Sequence, residues 1–220
     1  MPLPTAEIVY PESDGAPLGE NTLQVQWIIA LMNGFEAHFR DRPDVFVAVD
    51  LFWYPVEGDP TTVTAPDVLV AFGRPKGHRP SYKQWEEGGV APQVVVEVLS
   101  PSNTPAGRKR LAKFYERHGV EEFYEYDPEA RELTVRVRAA GKFGPAAVTR
   151  SHPSPRLGVR FEVPPGGELR VIRPDGTPFR TYLELVDEAD AVREREAAAR
   201  EKAARLAAKL RELGVDPDSV

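Results

Sequence analysis

Between Pro92 and Pro101 stands the run Gln93-Val-Val-Val-Glu-Val-Leu99, almost unbroken in apolar residues and interrupted only by Glu97. A short β-branched run bounded by turn residues predicts a strand buried on both faces, the place of a central strand in a sheet. Working outward, Val45 to Trp53 and Asp67 to Phe72 repeat this texture upstream, and Glu122 to Tyr126 and Glu132 to Arg138 predict two strands downstream. Pro105 to Gly119 predicts a helix, with Thr104 as N-cap, Pro105 in the first turn and Gly119 just past the end. Ahead of all these, Asn21 to Asp41 places Leu23, Trp27, Ile28, Leu31, Phe35 and Phe39 at steps of three and four, an amphipathic helix that Pro43 stops. The core order is helix, three strands, helix, strand, with the half-exposed strand Glu132 to Arg138 after it. A helix between two strands invites a crossover connection, so the expected class is α/β or α+β, a mixed central sheet flanked by helices.

Gly141 to Phe179 is rich in Gly and Pro, with short strand-like pieces. Tyr182 to Leu213 holds neither residue and is dense in Ala, Glu, Arg and Lys, which predicts one helix roughly 48 Å long. Only Leu206, Leu210 and Leu213 form an apolar stripe in its distal half, too short for a sustained coiled coil, so a solvated arm is expected, with helix pairing in a homo-oligomer as the other reading. The expected domains are 1–180, the sheet-bearing core, and 181–220, a charged helix and tail.

Of 220 residues, 41% are hydrophobic and 28% charged, ordinary globular usage rather than the signature of disorder. The 22 prolines are about double the usual ~5% and mark stiff connections. With no cysteine, disulfides, thiolate metal sites and a cysteine nucleophile are excluded together. No apolar run approaches the ~18 residues of a membrane span, and Met1 to Glu20 lacks the pattern of a secretory signal, so no membrane partner and a cytoplasmic location are expected. The net charge of −6 is uneven: seven bases and four acids between Arg193 and Glu212 leave −9 on the remainder.

Glu97 is the most informative residue. An ionised carboxylate in an apolar strand costs several kcal/mol unless paired or bound to a metal, so it needs either an ion-pair partner from a helix or a role as metal ligand or acid/base group. Asp67, directly before another strand, reads alone as a turn residue; together with Glu97 it reads as one of two carboxylates converging on a divalent cation. Mg²⁺ takes oxygen ligands and commonly only one or two protein carboxylates. A cation facing the scissile phosphate would complete the set. Arg108, Lys109, Arg110 and Lys113 supply the only basic cluster near these acids in sequence, with a solvated helix face as the plainer reading.

The strings Ala65-Pro-Asp-Val-Leu-Val and Val95-Val-Glu-Val-Leu-Ser-Pro-Ser-Asn-Thr, the helix to Tyr115, Gly119-Val120 and Phe123 to Pro128 resemble the Uma-type putative restriction endonuclease family of the PD-(D/E)xK nuclease superfamily. The similarity spans Glu20 to Pro128. It implies a restriction-endonuclease-like core and Mg²⁺- or Mn²⁺-dependent hydrolysis of phosphodiester bonds, with nucleic acid, DNA above all, as partner. Asp67 matches the Pro-Asp aspartate and Glu97 the second acid. Glu20 matches a further acidic position and so a third metal ligand, although a helix N-terminus favours glutamate on its own account. Two departures stand out. The superfamily lysine two residues after the second acid is Leu99 here, and the lysine of related sequences four residues before Tyr115 is Leu111. Lys109 and Lys113 flank Leu111 and become the candidate catalytic cations, Lys113 the preferred one. Gln24 replaces a histidine frequent in the first helix of relatives.

Other constellations are weak. His38, His78, His118 and His152 lack metal-ligand spacing, Ser100 and Ser102 lack a nucleophile elbow, and no Gly-rich phosphate loop occurs. Trp85 reads either as a cover for a groove or a contact to a base or, more commonly for a Trp, as packing under a loop. Two functions remain: a metal-dependent endonuclease, or a non-catalytic nucleic-acid-binding or scaffolding protein on the same fold.

Overall fold

The computed structural model describes residues 8–13, 15, 19, 21–213 and 216. Helix α1 (Thr22–His38) starts where Asn21 accepts from the Gln24 N–H at 2.8 Å. Strand β1 (Val45–Ala48) follows, but the strand expected over Val45 to Trp53 does not continue. Asp50 takes a left-handed φ of +47° and turns the chain, so β2 (Trp53–Tyr54) leaves for a separate two-stranded sheet with β4 (Tyr82–Lys83). Asp tolerates this conformation better than the β-branched residues before it, which is why the break falls there.

Between them lies β3 (Val68–Phe72). The central run forms β5 (Val94–Val98), α2 (Pro105–His118) crosses back, and β6 (Glu122–Asp127) lies parallel to β5. Thr104 caps α2 and Gly119 ends it at φ +104°, where a side chain would be strained. After β7 (Glu132–Ala139), β8 (Lys142–Phe143) and β9 (Ala147–Thr149) pair along it, giving the order β1-β3-β5-β6-β7-β8 with β9 also on β7. All its pairings but β5–β6 are antiparallel, so the sheet is mixed and β5 is interior. The Gly/Pro-rich stretch adds β10 (Ser151–Ser154), β11 (Val159–Glu162) and β12 (Arg170–Ile172), a second antiparallel sheet.

Strand alternation divides the core. Leu69, Ala71, Val95 and Phe123 face one way and pack with Tyr115 of α2, Phe46, Trp53 and Tyr82. Val68, Val70, Val94 and Val96 face the other way, toward Ile28, Leu31 and Phe35 of α1 and Phe161 and Val171 of the second sheet. Buried Glu122 ties the second sheet in place, accepting from Tyr124 Oη at 2.8 Å, from Arg156 N–H at 2.9 Å and from Ser154 Oγ. Gly34 of α1 leaves a recess filled by the Phe179 ring, into which any Cβ would collide.

The chain divides into two compact units, Met1–Phe179 and Arg180–Val220. The second carries α3 (Tyr182–Glu212), opened by a capping box in which Thr181 and Glu184 satisfy each other's backbone N–H groups; none of its residues is buried.

Candidate functional site

The β3–β5 register pairs Val68 with Val96, so one step further Asp67 lies opposite Glu97, and strand alternation sends both to the α2 face. The two carboxyl groups share a hydrogen bond. Parallel pairing sets Glu125 of β6 beside Glu97, giving a row of three acids across three strands. They are not equivalent. Glu125 is 1% exposed and held by Arg108 at 2.8 Å and by Arg136, whereas neither Asp67 nor Glu97 has an ion-pair partner among the described residues.

Asp67 Oδ2 accepts from the Val98 N–H at 2.7 Å, and Gln24 hydrogen-bonds to the same carboxyl while its Nε2 donates to Val98 O at 2.8 Å. Gln24 is buried, so α1 fixes Asp67 against the end of β5. On the other side Glu97 Oε1 accepts from Tyr115 Oη at 2.5 Å. Tyr115 is itself clamped between Trp53, stacked at 6.2 Å, and Phe123 at 5.0 Å. Burial pushes the Asp67 carboxyl up to about 6, against the pull of the Val98 N–H. Glu97 is raised well above the usual carboxylate range, by burial first and by the Asp67 charge second. Two acids in contact and partly desolvated resist double ionisation, which is the electrostatic setting that a bound cation relieves.

Glu97 opens into a cavity of about 210 Å³ lined also by Leu99, Ser102, Arg108, Arg110 and Leu111. Arg110 and Leu111 also line a larger neighbouring cavity of about 590 Å³, together with Thr64, Lys113, Arg117 and His118. Lys113 therefore borders the larger cavity but not the one that holds Glu97. Lys109 borders neither; it shares a cleft of about 430 Å³ with Lys113, Arg136 and Phe143. Their i, i+4 spacing does give the two lysines a common face, and that face is not the Glu97 side. The basic side chain that lines both the Glu97 cavity and the larger one is Arg110, which makes no ion pair among the described residues. Leu99 and Leu111, where lysines stand in related patterns, both line the Glu97 cavity.

Glu20 lies outside the described residues. Among those described, no group of three or more His, Cys, Asp or Glu side chains could hold a metal, so the acidic donor set there is the Asp67–Glu97 pair. His118 borders the larger cavity, and burial, then the neighbouring Arg117, lowers its pKa. Trp85 packs against Tyr10 at 5.1 Å, in keeping with a packing role.

Sequence comparison bears on these residues directly. The pattern of the Uma2 family, described as "Putative restriction endonuclease", matches residues 12–164, which include both acids, Tyr115 and all of α2. This chain belongs to the Uma2 family. No curated protein matches it. Among solved structures, a putative nuclease of the DUF820 group from Anabaena variabilis is similar at 13% identity and a TM-score of 0.49, over 63% of this chain and 75% of that one. The Uma2 match, like the resemblance read from the two acidic strings, covers the strands that carry Asp67 and Glu97. Glu125 and Arg110 were not singled out in the sequence as site residues. Glu125, between Tyr124 and Tyr126, shares its strand with Glu122 and Asp127 and so lacks the isolation that marks Glu97 among valines, while Arg110 is one of four bases clustered in α2.

Proposed function

We propose that this Uma2 protein is a metal-dependent nuclease that hydrolyses phosphodiester bonds in DNA. The observation that carries the reading is the Asp67–Glu97 pair: two carboxyl groups in contact, both raised by burial and Glu97 further by the Asp67 charge, without a cation of their own among the described residues. A protein that only bound nucleic acid would gain nothing by turning negative charge toward phosphates. The all-oxygen pair fits Mg²⁺ or Mn²⁺, which leaves its other positions to water and phosphate. Asp67 and Glu97 would hold that ion. When bound, it polarises a phosphoryl oxygen and lowers the pKa of a water.

The chain's own groups supply the rest. Gln24 and the Val98 N–H orient Asp67, and Tyr115 orients Glu97 and favours its ionised form. Arg110 offers a guanidinium to charge developing on the scissile phosphate, and Lys113 and Arg117 bind flanking phosphates along the larger cavity. Binding without cleavage is the second reading, favoured by the apolar Leu99 and Leu111 beside Glu97. Incubation with plasmid and single-stranded DNA in Mg²⁺ or Mn²⁺, against EDTA and Asp67→Ala controls, separates them. Cleavage that needs metal and Asp67 supports the nuclease; retardation of DNA without cleavage in any metal supports the binder.

A further inference from the structure

The leucines of α3 understate its apolar seam. From Tyr182, alternating steps of three and four residues reach Leu213, and every landing point is apolar except Glu196: Leu185, Val192, Leu206 and Leu210 with alanines between them. This is the heptad rhythm carried through the whole helix, with alanine in the places where two helices approach closely. Among the described residues nothing buries it. Tyr182, Leu185, Leu206 and Leu213 are each more than half exposed, and no residue of α3 is buried.

Charge along the helix points to what covers the seam. Tyr182 to Val192 holds four acids and no base, Ala203 to Leu213 holds three bases and one acid, and the ten residues between hold four bases and three acids. Two parallel copies would set −4 against −4 at one end and +2 against +2 at the other. Antiparallel copies set −4 against +2 at both ends and also oppose the helix dipoles favourably. The same arrangement keeps the seam in register, placing Tyr182 opposite Leu213, Leu185 opposite Leu210, and small Ala189 opposite Leu206. We infer that α3 is a dimerisation element that pairs antiparallel with α3 of a second copy of this chain.

The test uses the full chain. Sedimentation velocity over a micromolar concentration series should show a dimer, and Leu206→Glu with Leu210→Glu should give a monomer with an unchanged thermal transition. Because the chain has no cysteine, single placements report the alignment cleanly. Mixed Ala189→Cys and Leu206→Cys proteins should form a disulfide-linked dimer on mild oxidation, and Leu206→Cys alone should not. A monomer throughout the series, a dimer indifferent to the two glutamates, or self-linking of Leu206→Cys would each overturn the inference.

Discussion

Tyr115 Oη reaches Glu97 Oε1 at 2.5 Å from the body of α2, so one phenol ties the crossover helix to the acid of the central strand. Burial and the neighbouring Glu97 charge raise the Tyr115 pKa well above its ordinary value, so it stays a donor. It acts as a positioning residue for the acid. A hydrogen bond to a charged group contributes about 1.5–3 kcal/mol. Tyr115→Phe, which keeps the packing against Trp53 and Phe123, should weaken Mn²⁺ binding about tenfold by calorimetry, a change of roughly 1.4 kcal/mol. Unaltered affinity would show that Glu97 needs no such support.

Replacing either acid should have opposite effects on metal and on fold. Asp67→Asn and Glu97→Gln should each abolish the calorimetric Mn²⁺ signal and DNA cleavage. Both should also raise the melting temperature of the metal-free protein at pH 7.5, because one charge of a partly desolvated pair is gone. A lower melting temperature in both would mean that the acids are held by structural pairing rather than kept for a cation.

Stability of the metal-free protein should depend on pH with a definite sign. The folded Asp67 carboxyl titrates near 6, above its unfolded value of 3.8, so the native state holds its proton more tightly. Stability should therefore fall as pH rises from about 4 to about 6 and level off beyond, by an amount on the order of 3 kcal/mol at most. Saturating Mn²⁺ at pH 7.5 should restore it, and Asp67→Asn should flatten the slope. Chemical denaturation at pH 4.5, 6 and 7.5, with and without Mn²⁺, measures all three.

The three basic candidates of α2 should separate in kinetics. Arg110→Ala should lower the cleavage rate by on the order of 10²–10³ while leaving Mn²⁺ affinity near its wild-type value. Lys113→Ala should chiefly weaken DNA binding and reduce the slope of log K against log salt by about 0.9. Lys109→Ala should behave as wild type. A loss of turnover confined to Lys113→Ala would return the catalytic cation to that lysine.

Glu125 sits in the same row as the two free acids, yet its removal should read as a folding defect. With Arg108 and Arg136 left without their carboxylate, Glu125→Gln should destabilise by about 3 kcal/mol, near the low end for breaking a buried pair because both guanidinium groups reach solvent. Urea titration gives the value directly.

The helices were legible because their ends carry local chemistry: Asn21 and Thr104 cap, and Gly119 takes the left-handed conformation whatever packs above it. The strand break at Asp50 was not, since apolar residues stand on both sides of it and the partners that draw Trp53 out of the main sheet, Thr64 and Tyr82, are distant in sequence. Glu97 stood out because burial makes a lone acid conspicuous. Which base of α2 approaches it depends on how the helix is rotated over the sheet, and Tyr115 and Ala112 anchor that rotation so that Arg108, Arg110 and Leu111 line the Glu97 cavity. Spacing along the chain holds no record of that angle.

The recess at Gly34 separates two notions of where this unit ends. Its kinship with other proteins is written in residues 12–164, but Leu169, Val171 and the Phe179 ring that plugs Gly34 are drawn from beyond that limit. Inheritance and self-sufficiency thus have different borders here. A fragment cut at the last recognisable residue would keep both acids of the pair and lose the ring that fills the recess of its own first helix.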